Sequence, residues 1–90
     1  MARTPSLAAA HIGSLIVERR RELGLTQDEV AVMTGIDSSN IRAYENGRSM
    51  PNIHSLIRIA YAMEVEPGVL LEGLTPRLFE QQKPKTSRSA

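Results

Sequence analysis

The capping box formed by Thr26 and Glu29 is the sequence feature that most constrains this fold. In an S/T-x-x-E box the two side chains satisfy backbone N–H groups at a helix start, so a helix is predicted from Gln27 to Met33. Gly35 follows it closely and predicts a left-handed C-cap, which ends the helix abruptly. A first short helix with well-defined ends is therefore expected.

A second short helix is predicted after the turn. Ile36 is expected to be buried in that turn, and Asp37 is expected to cap a helix running from Ser38 to Asn46. Its inner face carries Ile41, Tyr44 and Glu45, and Gly47 stops it. Two helices joined in this way have the geometry that places the second one in a DNA major groove.

Helical spacing of apolar residues predicts three further helices. In chain order, helix one runs from Ser6 to Leu23 and ends at Gly24, ahead of the two short helices described above. Asn52 is the predicted N-cap of the fourth helix. This helix is expected to bury Ile53, Leu56, Ile57, Ala60 and Met63. The fifth begins at Pro67, contains Val69, Leu70 and Leu71, and closes at Gly73. Because no stretch alternates like a strand, the fold class predicted is all-α with five helices.

Composition excludes several classes of function. The 90 residues contain no cysteine, so disulfides and thiolate metal sites are excluded. His11 and His54 lack metal-ligand spacing, and no nucleotide-binding or catalytic motif occurs, so neither a metal, a cofactor nor an enzymatic activity is expected. No apolar run is long enough to span a bilayer, and a cytoplasmic protein is expected.

Charge divides the chain into a domain, residues 6–74, and a short C-terminal extension, residues 75–90. Residues 1–74 carry seven Arg and nine Asp or Glu, a net charge of −2, whereas residues 75–90 carry +3. Residues 81–90 have the composition of a disordered basic tail. Leu78 and Phe79 lie between domain and tail, where they either pack on the domain or belong to a dimer contact.

The stretch from Ile12 to Leu74 resembles the lambda-repressor/Cro-type helix-turn-helix family, also called the XRE family. The resemblance implies a five-helix DNA-binding domain that usually acts as a homodimeric transcription regulator. It covers about two-thirds of the chain, in the following order of motifs: Arg20…Leu23-Gly24-Leu25-Thr26-Gln27, Val30-Ala31, Gly35-Ile36, Ile41, Tyr44-Glu45-Asn46-Gly47, Pro51, Leu56…Ile59-Ala60 and Leu70-Leu71.

The resemblance also implies the residues that contact DNA. Gln27 matches a position that contacts the DNA backbone, and Asn46 and Arg48 lie in a loop presented to phosphates. Base-reading positions match Ser38, Ser39 and Ala43, with Asn40 and Arg42 beside them. An arginine can donate two bonds to guanine, an asparagine can pair with adenine or contact a phosphate, and an alanine can touch a thymine methyl group. The alternatives are an ordinary first-turn residue for Gln27, a solvated helix face for Asn40 and Arg42, and a helix-dipole cation for Arg48.

A structural ion pair between Arg20 and Glu45 is implied by the same resemblance and would join the first helix to the third. The neighbouring Arg19 and Arg21 point in other directions around the helix, because successive residues step by about 100°. Both are therefore expected to be solvated.

Two functions remain after these exclusions. One is a sequence-specific transcription regulator that binds double-stranded DNA as a homodimer, with exposed side chains of helices four and five, especially Val69 and Leu71, in the dimer contact. The alternative is an antitoxin or adaptor that mainly holds a protein partner through Leu78, Phe79 and the tail. A third function, non-specific nucleoid binding, suits the basic tail but fits poorly with a net charge of −2 over residues 1–74.

Overall fold

Four α-helices and two 3₁₀ helices form the part of the chain that the computed structural model describes, residues 6–80. The α-helices are α1 (Leu7–Glu22), α2 (Gln27–Thr34), α3 (Ser38–Glu45) and α4 (Ile53–Ala62). The 3₁₀ helices are Pro67–Leu71 and Pro76–Phe79, and no strand occurs within residues 6–80. The all-α prediction is confirmed. The predicted disordered tail, residues 81–90, lies outside the described residues.

The expected fifth α-helix is wrong in type, since Pro67–Leu71 is a 3₁₀ helix. The N–H groups of Val69 and Glu72 donate to carbonyls three residues earlier, those of Glu66 and Val69. Only five residues lie between Pro67 and Gly73, which has a φ of 81°, and such short segments favour the tighter 3₁₀ turn. The second 3₁₀ helix, which packs against α1, was not predicted.

Three predicted start and stop signals are confirmed. Thr26 and Glu29 make both bonds of the capping box, Gly35 has a φ of 74° as the C-cap of α2, and Asn52 accepts the N–H of Ser55 at 2.8 Å. Asp37 occupies the predicted N-cap position of α3, but its exposed side chain makes no capping bond. Its backbone carbonyl instead accepts the N–H groups that begin α3.

The core draws a fully buried side chain from every part of the domain. Its largest members come from α1, α2, α3, α4, the residue after α4 and the first 3₁₀ helix: Ile16, Val30, Ile41, Ile59, Met63 and Leu70. Because the four α-helices and the first 3₁₀ helix each contribute a side chain to the same cluster, loss of one of them would expose apolar surface on the elements that it contacts.

The burial predicted for α4 is partly wrong. Leu56, Ala60 and Met63 are buried as expected, together with Ile59. Ile53 and Ile57 are instead exposed, at 69% and 47% of their surface. Apolar residues occupy a wider arc of α4 than the part that contacts the core. Helical spacing alone therefore predicted burial for two residues that lie on the surface.

Helix α1 approaches the C-terminal end of α3 so closely that only glycine fits at residue 13. A Cβ atom at Gly13 would lie 2.3 Å from the carbonyl oxygen of Tyr44 and 2.7 Å from that of Glu45. Both neighbours are backbone atoms, which cannot turn aside as a flexible side chain could. This contact sets the distance between α1 and the candidate recognition helix.

Gly13→Ala is therefore expected to lower the free energy of unfolding by about 1–3 kcal/mol through overpacking. In an unobstructed helix interior the same change would raise it by about 1 kcal/mol, because alanine has the higher helix propensity. Urea unfolding monitored by circular dichroism measures the difference. Gly68→Ala is the matched control, since a Cβ there meets nothing within 4 Å. A Gly13→Ala protein as stable as wild type would contradict this contact.

Candidate nucleic-acid interface

A buried hydroxyl holds the turn between α2 and α3. Thr34 donates to the carbonyl of Val30 at 2.8 Å and accepts the N–H of Ile36 at 3.2 Å. Gly35 supplies the left-handed conformation between them, and Ile36 is buried as predicted. The angle between the two helices is thus set by hydrogen bonds within the turn and by an apolar anchor beneath it.

Helix α3 has one face in the core and one in solvent. Ile41 and Tyr44 are buried. The outward positions carry short or polar side chains, and of the six candidate residues around this face four are exposed and two are half-buried: Ser39, Asn40, Arg42 and Asn46, then Ser38 and Ala43. Short side chains let a helix approach base edges closely, and Arg42 adds a long bidentate donor.

Arg20 and Glu45 form a two-bond ion pair between α1 and α3. Arg20 donates from Nε to Oε2 of Glu45 at 2.7 Å and from Nη2 to Oε1 at 3.0 Å. A third bond runs from Nη1 to the carbonyl of Leu25 at 2.8 Å. The side chains are only 13% and 4% exposed. The hydrogen bond to Glu45 raises the pKa of Arg20 above its ordinary value, its burial opposes that shift, and the charge of Glu45 reinforces it.

Gln27 joins this network, a role that sequence reasoning missed. Its Nε2 donates to Oε1 of Glu45 at 2.9 Å, so Glu45 accepts three side-chain bonds and links α1, α2 and α3. A glutamine at a helix start gives no sign of such a partner 18 positions away. Gln27 also occupies the first turn of α2, where backbone N–H groups are left without helical acceptors.

The two arginines nearest the outward face of α3 differ in their surroundings. Arg42 lies 3.7 Å from the carboxylate of Asp28 on α2, in an exposed pair that contributes little stability. Arg48 follows the helix, and its backbone N–H donates to the side-chain oxygen of Asn46 at 3.3 Å. Asn46 therefore shapes the loop that carries Arg48, and sequence spacing did not reveal either pairing.

The prediction that Arg19 is solvated is wrong. Its Nε donates to the carbonyl of Met63 at 2.9 Å, and its side chain is half-buried. That carbonyl lies just beyond α4, so Arg19 ties α1 to the end of that helix. Arg21 is exposed, as expected. The partner of Arg19 is a backbone atom 44 residues away, which residue type and spacing could not identify.

Neither a metal centre nor a transmembrane helix is found in residues 6–80. No group of three or more His, Cys, Asp or Glu side chains there could hold a metal ion. None of the described helices combines the length and apolar character needed to cross a bilayer.

Residues 13–74 match the family described as the helix-turn-helix domain. This match covers the two-helix unit, the ion-paired network and the first 3₁₀ helix. The chain belongs to this family. Its order of motifs and its fold place it with the lambda-repressor, or XRE, type.

Known proteins are similar in sequence and in structure. An HTH-type transcriptional regulator of Methanothermobacter thermautotrophicus is 46% identical over 50 residues, which are 56% of this chain and 72% of that protein. The restriction-modification controller protein C.AhdI of Aeromonas hydrophila superposes with a TM-score of 0.67 at 27% identity, over 69% of this chain and 94% of its own. The P22 c2 repressor, solved with a synthetic operator, superposes with a TM-score of 0.65 at 29% identity, over 69% of this chain and 94% of its own.

Arg20→Ala is expected to lower the free energy of unfolding by up to about 3–5 kcal/mol, since it leaves the buried Glu45 carboxylate without its cation. Thermal unfolding measures the loss. Arg21→Ala, an exposed neighbour on the same helix, should change stability by less than about 0.5 kcal/mol. Arg19 is unsuitable as the control because of its bond to Met63. Equal small shifts for Arg20→Ala and Arg21→Ala would show that the ion pair is not important for stability.

Proposed function

We propose that this protein is a transcription regulator that binds a near-palindromic operator in double-stranded DNA as a homodimer, with α3 in the major groove. The observation that carries this proposal is the division of α3 into a buried face and an outward face of short polar side chains with Arg42 among them. The family and its solved repressor relatives support the same function.

Base reading is assigned to the outward face of α3. Arg42 is the strongest candidate, because a guanidinium can donate two bonds to the O6 and N7 atoms of guanine. It has to leave Asp28 to do so, and an exposed pair at 3.7 Å is readily exchanged. Ser38, Ser39, Asn40 and Ala43 complete the reading surface, with Asn40 suited to adenine and Ala43 to a thymine methyl group.

Phosphate contacts are assigned to residues at either end of the two-helix unit. Gln27 offers its backbone N–H at the positive end of α2, while its side chain is held by Glu45. Asn46 and Arg48 provide donors in the loop after α3, where Asn46 Oδ1 already accepts a bond from Arg48. These contacts would orient the protein on the duplex without reading sequence.

Pairing of two subunits follows from the small size and weak charge of the domain. A single module of this kind buries about 600–1,000 Å² against DNA. Residues 1–74 carry a net charge of −2, so long-range attraction to the phosphates adds little. Two subunits on one duplex would double the base contacts and supply the missing affinity.

Arg42→Ala and Arg48→Ala should weaken DNA binding in different ways. Arg42→Ala is expected to cost about 1–3 kcal/mol on the operator and to relax the preference at one base pair of each half-site. Arg48→Ala should weaken binding to all duplexes alike and reduce the salt dependence by about one phosphate contact per subunit. Salt-titrated binding to the operator and to a scrambled duplex separates the two effects.

The operator for these measurements is the strongest duplex that wild-type protein selects from a random library. Arg77→Ala, an exposed arginine beyond the domain, serves as the matched control for loss of one positive charge. If Arg42→Ala kept the full operator preference, base reading by Arg42 would be wrong. If wild-type protein bound operator and scrambled duplex equally, the proposed function itself would be wrong.

The selected operator should be a near-palindrome with half-site centres about 10 base pairs, or one helical turn, apart. A two-fold dimer places one α3 in each of two successive major grooves on the same side of the duplex. Hydroxyl-radical footprinting would show two protected half-sites related by symmetry. Protection of one asymmetric half-site at saturating protein would contradict the dimer.

A further inference from the structure

The candidate DNA-binding residues include only two charged side chains, Arg42 and Arg48. The other candidates are uncharged, namely Gln27, Ser38, Ser39, Asn40, Ala43 and Asn46. Arg42 lies 3.7 Å from the carboxylate of Asp28, whereas no carboxylate of the described residues lies within 4.0 Å of Arg48. Asp28 therefore faces one of the two positive charges that the candidate interface offers to DNA.

We propose that Asp28 limits the affinity of the protein for DNA by competing with the duplex for Arg42; this inference rests on the proposed function. In the free protein the Asp28 carboxylate holds the guanidinium of Arg42. DNA gains Arg42 only by displacing this carboxylate, so part of the binding free energy is used to separate the pair. Asp28 is thus a positioning residue that acts through Arg42.

Hydrogen bonds on both sides of Asp28 hold its backbone in place. Gln27 donates its side-chain Nε2 to Glu45 at 2.9 Å. Glu29 makes the two bonds of the capping box with Thr26, at 2.8 and 3.0 Å. The start of α2 therefore resists any movement that would take the carboxylate away from α3. When the partner arginine turns towards a duplex, the carboxylate stays at the interface.

Neither helix capping nor stability accounts for the direction of the Asp28 side chain. An acidic residue in the first turn interacts favourably with the helix dipole, but Glu29 already supplies such a charge to α2. Glu29 accepts the backbone N–H of Thr26, whereas Asp28 reaches towards Arg42 on α3. The paired side chains are 76% and 50% exposed, and such a pair adds little stability. The main effect of the contact is therefore expected on DNA binding.

A bound duplex would also lie close to the Asp28 carboxylate itself. Asp28 directly follows Gln27, whose backbone N–H is a proposed phosphate contact. Phosphate and carboxylate carry like charges and repel each other. Neutralising Asp28 would therefore remove this repulsion together with the competition for Arg42. The two contributions can be separated, because only the competition depends on the presence of Arg42.

The test begins with Asp28→Asn, which removes the charge and keeps the shape of the side chain. This variant should bind the operator selected by wild-type protein more tightly, by about 1.5–5-fold per subunit, the range expected for one exposed ion pair. A merely structural contact would give a loss of affinity or no change. Circular dichroism checks the helix content, and Asp28→Ser replaces Asp28→Asn if the asparagine disturbs α2.

Double variants then measure whether the gain passes through Arg42. Combined with Arg42→Ala, Asp28→Asn should lose most of its gain. Combined with Arg48→Ala, it should keep the gain, because Arg48 supplies the same charge to the candidate interface but does not pair with Asp28. Asp37→Asn is the control for general charge, since it removes an exposed carboxylate just before α3. Its effect should be the same with and without Arg42→Ala.

Two outcomes would overturn this inference. One is an Asp28→Asn protein that binds the operator no more tightly than wild type does. The other is a gain that is equally large in the Arg42→Ala background, which would leave only general repulsion between Asp28 and the phosphates. Failure of the proposed function is distinct from both, because wild-type protein would then bind the operator and a scrambled duplex equally.

Discussion

The ion pair between Arg20 and Glu45 fixes the orientation of the candidate recognition helix relative to the rest of the domain. Helix α3 has only eight residues and buries two large side chains, Ile41 and Tyr44, which leaves its rotation weakly determined by apolar packing. Two parallel bonds from a planar guanidinium have strict geometry, so they restrict the rotation of α3 relative to α1. The bonds to Leu25 and Gln27 extend that constraint to the start of α2.

Stability alone does not explain why a charged pair occupies this position. Removing two charges from water costs several kcal/mol per ion, and apolar side chains of similar volume often stabilise a fold as well or better. Here the cost is offset because Glu45 accepts three side-chain bonds and Arg20 donates three. Apolar packing at the same place would tolerate small rotations of α3. A helix that has to align donors with base edges benefits from the directional contact, and the close approach at Gly13 removes the remaining freedom in distance.

Local signals predicted much of the fold, because they act within a few residues. The capping box of Thr26 and Glu29 and the left-handed Gly35 define α2 from neighbouring backbone groups, and the structure has all of these contacts. Features that depend on distant partners were missed. Spacing placed Ile53 and Ile57 in the core, but which side of α4 is covered depends on where the other elements pack. The bonds from Arg19 to Met63 and from Gln27 to Glu45 likewise cross 44 and 18 positions.

The weak charge of the domain fits the proposed pairing of two subunits on one duplex. A strongly basic domain would bind any duplex, and its specificity would depend on base contacts alone. In this chain Asp28 lies 3.7 Å from Arg42, so a carboxylate partly balances the positive charge of this arginine. Weak general attraction lowers the affinity of one subunit for every sequence. If each subunit alone binds weakly, tight binding requires both half-sites at once, and discrimination between operator and other DNA is greater for the pair than for either subunit.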